Sequence, residues 1–424
     1  MRLSPLPSLR LVRYPPVVGQ VAEDVEKWAA DVIFGRVRGL GAALTRILFR
    51  GLSHVYGWIV RIRLKAYRQQ WKEQIQLGTM VISVGNLTVG GTGKTPVVEL
   101  LARTLHKRGR RVAILSRGYK SQKLDKPQEW GDLGPADCAA LPKIVSDGSG
   151  VRLESIYAGD EPYMLARNLE GVGVVVDKDR VNGGRFAVRE LGADTLLLDD
   201  GLQYLALDHE YDLVLLDQNA PFGTQDGALL PRGTLREPAR NLCRASHIMI
   251  TKCQGPTGEE VLSHLRSYNP TAEIMQATHA PQYLEQVFGD GRLPLEHLQD
   301  KYVAAISGIA VPESFENLLE TLGAQVEFHR TFTDHHPFTQ REIDRFMTRC
   351  IERDIELIVT TEKDAVRFPR PGELDVDIWF LRIEVEIMEG EDAWERFIEH
   401  IVAPREREAS DWAEDRLILN PIGS

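Results

Sequence analysis

Cysteine is scarce in this chain: four thiols in 424 residues, at Cys138, Cys243, Cys253 and Cys350, with no C-x-x-C pair. That number and spacing exclude a disulfide framework and a structural zinc site, and they suit a reducing, cytosolic setting. Also missing is any run of the roughly 20 apolar residues that a membrane-spanning helix needs. In the N-terminal region the longest stretch without a formal charge is Gly51–Val60. The N-terminus lacks the apolar segment of a secretory signal and carries an acidic patch from Glu23 to Asp31. No internal repeat is present, and a balance of 43% hydrophobic and 26% charged residues excludes disorder, collagen-like sequence and a multi-span membrane protein. The chain exceeds the roughly 250–300 residues at which single cores stop growing, so more than one folding unit is expected.

The most telling absence is of negative charge near the N-terminus. No Asp or Glu stands between Asp31 and Glu73, whereas nine Lys and Arg do. Residues 1–78 carry 13 basic and 5 acidic side chains, a net of +8; the remainder carries 38 and 56, a net of −18. A basic segment on an acidic body implies an anionic partner for the segment. Within 44–61 the helical period puts Leu44, Ile47, Leu48, Leu52, Val55 and Ile59 on one face, widened by Phe49, Tyr56 and Val60. Arg46, Arg50, His54 and Arg61 lie opposite. Such a helix either lies in the headgroup layer of a membrane, with Tyr56 and Trp58 at the interface, or covers the core of the body. The membrane reading is preferred, because a helix that covers a core has no need to exclude acids over so long a stretch.

From residue 79 onward, short β-branched runs alternate with helical stretches. Strands are predicted at Val81–Val84, Arg111–Leu115, Val172–Val176, Thr195–Leu198, Asp212–Leu216 and His247–Ile250, and a helix from about Thr95 to His106. The alternation means an α/β fold with a P-loop NTPase-type parallel sheet and helices on both faces. Between the first strand and that helix runs Gly85-Asn86-Leu87-Thr88-Val89-Gly90-Gly91-Thr92-Gly93-Lys94-Thr95-Pro96. Strand, glycine-rich turn and helix are the setting of a phosphate-binding loop. Backbone N–H groups around Gly90, Gly91, Thr92 and Gly93 converge on phosphate oxygens, Lys94 reaches the β- and γ-phosphates, and the Thr95 hydroxyl can ligate Mg²⁺. The usual first glycine of the pattern is Thr88 here, and a glycine-rich turn with an incidental lysine is the bland alternative. Leu196–Leu198 runs into Asp199 and Asp200, a pair of carboxylates suited to holding the metal from a neighbouring strand. Leu213–Asp217 is a weaker second copy. A strand-terminal Asp often only caps a turn; two of them beside a phosphate loop favour the metal reading.

Further pieces follow in a definite order: Ser116-Arg117-Gly118-Tyr119, Gly159-Asp160-Glu161-Pro162, Asp199-Asp200-Gly201-Leu202-Gln203, Leu229-Leu230-Pro231 with Leu235-Arg236-Glu237-Pro238, Phe332-Thr333-Asp334-His335-His336 and Thr361-Glu362-Lys363-Asp364-Ala365. Together with the loop they make residues 45–370 resemble the tetraacyldisaccharide 4'-kinase family of lipid A synthesis, in which the first position of the phosphate loop is likewise not Gly. The resemblance implies ATP- and Mg²⁺-dependent phosphorylation of the 4'-hydroxyl of a tetraacylated glucosamine disaccharide 1-phosphate, giving lipid IVA, at the cytoplasmic face of the bacterial inner membrane. It also implies Asp160 as catalytic base with His335 as its partner, and Asp199 and Asp200 as metal and nucleotide-positioning carboxylates. Arg117, Tyr119, Arg180, Arg236 and Glu237 are implied at or near the substrate. Neither a nucleic acid nor an obligate protein partner is expected.

The chemistry of the residues agrees with these roles. Phosphoryl transfer asks for charge neutralisation, in-line placement and a group that takes the hydroxyl proton. A carboxylate hydrogen-bonded to an imidazole suits the last task. Asp160, between Gly159 and Pro162, is expected in a turn, and a purely turn-forming Asp is its alternative. His335 is preferred to His336 for its place after Asp334. Satisfied loop histidines, zinc ligands and a phosphoesterase D-H-H signature are the rival readings, zinc being disfavoured because no further His/Cys set stands at ligand spacing. Thr251-Lys252 and Thr361–Asp364 lack the spacing of a guanine-reading motif.

A boundary near Leu295–Lys301, followed by strands at Tyr302–Ile306, Leu357–Val359 and Trp379–Ile383, divides the chain. The expected units are a membrane-associating segment 1–78, a kinase domain 79–298, a smaller α/β domain 299–403 and a polar tail 404–424, with the active site in the cleft between the two domains. A membrane-associated switch or partitioning ATPase is the alternative function. Those proteins carry Lys at the start of the loop, where this chain has Thr88.

Overall fold

Runs such as Val81-Ile82-Ser83-Val84 and Leu196-Leu197-Leu198 are apolar on both faces, a pattern that suits strands covered from both sides. In the computed structural model, which describes residues 28, 31–33, 35–131, 138, 140–223, 227–369 and 376–403, they do form such strands. The tail 404–424 lies outside the described residues. β1 (Met80–Asn86), β2 (Val112–Ser116), β3 (Lys143–Asp147), β4 (Gly173–Val176), β5 (Thr195–Asp199), β6 (Tyr211–Asp217), β7 (His247–Thr251), β8 (Glu273–Gln286), β9 (Arg292–Leu293), β10 (Tyr302–Ser307), β11 (Gln325–Thr331), β12 (Leu357–Thr361) and β13 (Ile378–Glu389) make one sheet. Its order is β11-β10-β12-β13-β8-β7-β6-β1-β5-β2-β4-β3, with β9 beside β8. Only β8/β13, β3/β4 and β8/β9 pair antiparallel among the described residues.

The helices of the described residues include α1 (Leu40–Arg68), α2 (Lys94–Lys107), α3 (Asp160–Asn168), α4 (Arg180–Glu190), α5 (Glu259–Tyr268), α6 (Pro312–Thr321), α7 (Gln340–Ile351), α8 (Glu362–Ala365) and α9 (Glu391–Val402). Around β1, α2 and α9 cover one face, where Leu101 and Phe397 join Ile82 and Val84; α4 covers the other through Phe186 and Ala187. In the C-terminal half, α7 and α6 cover opposite faces through Phe346 and Leu319. The chain thus crosses residue 298 within a continuous sheet, and α9, from the end of the second unit, packs against the P-loop half.

The two halves meet at β8 and β13, paired from Trp379/Gln286 to Glu389/Gln276. β8 carries no strand signal in the sequence: most of its side chains are half-buried and mixed in polarity, and Pro281 interrupts it. The proline is accommodated at a register shift, where Arg382 pairs with Tyr283 but Ile383 with Pro281, so Gln282 is left over and the ladder loses little.

Buried at this joint is Arg382. Its guanidinium holds Glu99 of α2 and, at 2.9 and 3.0 Å, both oxygens of Glu362 at the start of α8. Asn168 closes the ring, donating to Glu362 at 2.6 Å and to Glu99 at 3.2 Å. Burial pushes the Glu362 carboxyl above its ordinary range, against the pull of Arg382. Burial likewise opposes the charge on Arg382, but Glu362 and Glu99 outweigh it and hold the guanidinium firmly protonated.

α1 spans the predicted amphipathic segment and extends beyond it at both ends. Its contact with the body is narrow: Ala42, Ser53, Gly57, Leu64 and Ala66 are its buried residues. Ser53 and Gly57 seat it on the loop 229–236: the Ser53 hydroxyl meets the carbonyls of Leu229 and Leu230, and a Cβ on Gly57 would lie 2.7 Å from Leu229 Cδ1. Tyr56 donates to the carbonyl of Arg236 at 3.0 Å and Arg63 to that of Gln203 at 2.8 Å. The apolar face stays in the open, with Leu44, Ile47 and Leu48 at 67, 70 and 60% exposure. Among the described residues no helix is long and apolar enough to cross a membrane.

Arg382→Leu is expected to destabilise the protein by about 3–5 kcal/mol, because it leaves the buried Glu362 without its cationic partner and Glu99 with Arg103 alone. Adding Glu99→Gln and Glu362→Gln to that variant should recover much of the loss, as measured by urea denaturation.

Candidate active site

β1 ends at Asn86, and the chain turns through residues 87–93 into α2. Gly93 at the cap of α2 has φ 76°, a left-handed conformation that glycine adopts without strain. A Cβ there would also come within 2.5 Å of His279 Nε2 on β8. Burial pushes His279 down to about 4, and Lys252 adds to the effect, so a neutral ring lies against the loop. The loop is fastened internally: Asn86 Nδ2 donates to Thr92 Oγ1 at 3.0 Å, Thr251 Oγ1 to the Thr92 carbonyl at 2.8 Å, and Lys94 Nζ to Asn86 Oδ1 at 3.3 Å. Lys94 begins α2 with Thr95 next to it, where backbone N–H groups and the helix dipole favour an anion.

The two strand-terminal aspartates stand in different surroundings. Asp200, at φ 56°, accepts from Arg236 Nη1 at 2.8 Å on both oxygens and lies 3.7 Å from Lys94 Nζ. Burial raises its pKa, but Lys94 and Arg236 prevail and hold it below the usual carboxylate value. Asp199 is fully enclosed. Ser116 donates to Oδ2 at 3.3 Å, while Oδ1 is buried with no partner among the described residues. Burial first, then the Glu161 carboxylate, pushes Asp199 up to about 7 despite Lys94.

Asp160 is not in a turn, as its neighbours suggested, but is the first residue of α3. Gly159, at φ 91°, swings the chain into the helix, and Pro162 is tolerated because first-turn N–H groups need no helical acceptor. A carboxylate there gains from the helix dipole. His335 Nδ1 meets Asp160 Oδ2 at 2.7 Å across 175 residues of sequence. His336 does not join them; its Nε2 is 3.2 Å from both oxygens of Glu342, and its ring stacks on Phe332. His335 also sits at φ 62°, a strained conformation for a residue with a Cβ. Arg367 Nε stands 3.5 Å from Asp160 Oδ2, and Lys363 Nζ lies 3.2 Å from His335 Nε2.

Of the remaining expected residues, Tyr119 is exposed with its ring edge-on to His335, centroids 5.5 Å apart. Arg180 is buried over the Tyr204 ring; burial lowers its pKa, Arg117 opposes its charge, and Asp199 and Asp200 support it. Arg180 thus sits within electrostatic reach of Arg117 and of both aspartates. Glu237 faces inward: Gln203, Asn241 and Arg244 take its oxygens at 2.8–3.2 Å. It reaches the site at second hand, since Gln203 also accepts from Arg236 at 3.3 Å. Sequence reasoning missed Glu161, Arg367 and His279. The first stands inside a motif and could have been weighed; the other two carry no local signal.

The raised value of Asp199 gives a test of its burial. Its folded value lies above the ordinary 3.8, so between the two the unfolded chain binds fewer protons and stability falls as pH rises towards about 7. Asp199→Asn, which mimics the protonated acid, is expected to raise the melting temperature of the nucleotide-free protein by several degrees at pH 8. The gain should shrink markedly at pH 5, read by scanning calorimetry in the two buffers.

Residues 45–403 match the sequence model of a family described as LpxK, tetraacyldisaccharide-1-P 4'-kinase. The chain is 41% identical over 326 residues to the tetraacyldisaccharide 4'-kinase of Anaeromyxobacter dehalogenans (strain 2CP-C), covering 75% of this chain and 80% of that one. It is 31% identical over 388 residues to that of Halothermothrix orenii, covering 88% and 97%. Its fold is similar to a crystal structure of LpxK from Aquifex aeolicus in complex with ATP, with a TM-score of 0.65 and 29% identity over 85% of this chain and 100% of that one. With a family match over most of its length and relatives of this identity and coverage, the chain belongs to the tetraacyldisaccharide-1-P 4'-kinase family.

Proposed function

We propose that this kinase transfers the γ-phosphoryl group of ATP to the 4'-hydroxyl of a tetraacyldisaccharide 1-phosphate, with Asp160 taking the hydroxyl proton. The observation that carries the reading is the Asp160–His335 pair at 2.7 Å, at the N-terminus of a helix whose Glu161 lies within electrostatic reach of Asp199. An ionised Asp160 has one oxygen held by the imidazole and the other free to accept a proton, and Lys94 lies where charge builds on the transferring group. Tyr119, edge-on to His335, and Arg180, with Arg117 near it on the side of the paired aspartates, form the aromatic and cationic edge that receives the phosphorylated sugar. Glu237 serves by steadying the loop that carries Arg236. A switch or partitioning ATPase is not favoured: it needs no base beside the loop, and the family match supplies a kinase.

Among the described residues no three His, Cys, Asp or Glu converge into a metal site. Mg²⁺ at a nucleotide needs fewer, because phosphates and waters complete its shell. The unpartnered, buried Oδ1 of Asp199 is an oxygen donor of the hard kind Mg²⁺ takes, so Asp199 and Thr95 would hold it. Asp200, committed to Arg236 and Lys94, would orient the loop instead. Bound there, the ion neutralises phosphate charge.

The open apolar face of α1, its arginines and the acid-free stretch around it support docking of this helix on an anionic bilayer, at the cytoplasmic face of the inner membrane where ATP is available. The acyl chains of the substrate then stay in the bilayer while its head reaches the cleft.

Asp160→Asn is expected to lower kcat by about 10²–10⁴-fold while leaving ATP affinity unchanged, measured as transfer of labelled γ-phosphate to tetraacyldisaccharide 1-phosphate; full activity in this variant would remove Asp160 as the base. For α1, Ile47→Asn with Leu48→Asn should abolish flotation with vesicles containing anionic lipid. The melting temperature should not move, since both side chains are exposed in the fold.

A further inference from the structure

We infer that Lys363 is a positioning residue that fixes the tautomer of His335, and through it the proton-accepting state of Asp160; this rests on Asp160 being the base. An ammonium group has donors and no acceptor. Its approach to His335 Nε2 at 3.2 Å is therefore a hydrogen bond only when Nε2 keeps its lone pair. The ring proton then resides on Nδ1, which donates to Asp160 Oδ2 at 2.7 Å. Asp160 remains an acceptor at both oxygens, and the imidazole has no vacant nitrogen from which to divert the proton.

The opposite influence on Nε2 is also present. Asp334 Oδ1 lies 4.0 Å from it, and an unshielded carboxylate there draws a proton onto Nε2. That gives either the wrong tautomer, whose Nδ1 lone pair faces Asp160, or an imidazolium that ties Asp160 into an ion pair and weakens it as a base. Lys363 counters this twice, since its Nζ also donates to Asp334 Oδ1 at 3.1 Å. The other groups facing the dyad are Glu161, 4.0 Å from Lys363 Nζ, Arg367 beside Asp160, and the Tyr119 ring edge.

The lysine is rooted firmly enough for this work. It sits on the single turn of α8 between two anchored neighbours. Glu362 is clamped by Arg382. Asp364 is buried, accepting from the Gly308 N–H at 3.0 Å and the Thr361 hydroxyl at 2.6 Å and paired with Arg367. The base of the Lys363 side chain is thus fixed while its tip spans the cleft.

The test uses the full-length enzyme labelled with ¹⁵N-histidine, with His335 resonances assigned through His335→Gln. In the wild type, His335 is expected to show a protonated Nδ1 and an unprotonated Nε2. Lys363→Met should move the proton to Nε2 or protonate both nitrogens, and lower kcat by about 10- to 100-fold with KM for ATP unchanged. Lys363→Arg should keep the wild-type signature and most of the activity, and adding Asp334→Asn to Lys363→Met should restore the tautomer and part of kcat. An unchanged tautomer in Lys363→Met overturns the inference whatever happens to kcat, and so does a change confined to KM for the lipid, which would make Lys363 a substrate contact. A shifted tautomer with Asp160→Asn fully active would instead leave the tautomer control standing and remove the base assignment.

Discussion

The antiparallel ladder between β8 and β13 is the joint on which the active-site cluster depends. Each half of the sheet is parallel in its interior and could close around its own core. Where β13 runs back beside β8 the halves are held at a fixed offset, and the loop carrying His335 lies over the start of α3. The interior of this joint is ionic. Arg382 ties the helix that follows the phosphate loop to the turn that carries Lys363. Charges buried in this way gain little net stability over apolar residues, but their hydrogen bonds tolerate few alternative geometries, and a two-sided site needs that geometry.

Much of the P-loop half was legible because its signals are local. Val81–Val84, the glycine-rich turn and Leu196–Asp200 are short, contiguous patterns whose meaning depends on the strand or helix they end. Every strand read from 81 to 250 is present in the fold. The pairing of Asp160 with His335, 175 residues apart, came from resemblance, since no spacing rule links them. What escaped notice is non-local or mixed in polarity. β8 gives no strand expectation because its half-covered faces alternate irregularly and Pro281 breaks it. The ring of Glu99, Arg382 and Glu362 is built from three charged residues that a sequence reader assigns to solvent. Asp160 was misplaced because Gly and Pro nearby signal a turn, and they signal the start of a helix equally well.

Of the seven described non-glycine residues at positive φ, three stand around the phosphate loop and the Asp160–His335 pair. Asp200, Lys252 and His335 all have φ near +60°, a conformation that costs a side-chain-bearing residue on the order of 1–3 kcal/mol. Glycine would relieve that cost at each position and would lose the carboxylate, ammonium or imidazole. The partnerless Oδ1 of Asp199 and Nε2 of His279 belong to the same pattern: groups held ready near the phosphate loop at the expense of the empty fold.

The seat of α1 reaches further than its few contacts suggest. The loop 229–236 beneath it is stitched to the start of the phosphate loop, Arg236 N–H to the Leu87 carbonyl at 2.7 Å and Val89 N–H to the Thr234 carbonyl at 2.8 Å. Tyr56 holds the same Arg236 from above. A helix gripped by a flat surface loses two of its three rotations, and through these links the phosphate loop loses them as well. Whatever plane takes hold of α1 therefore sets the height and tilt of the phosphate loop above it, and a molecule confined to that plane need only drift sideways to arrive.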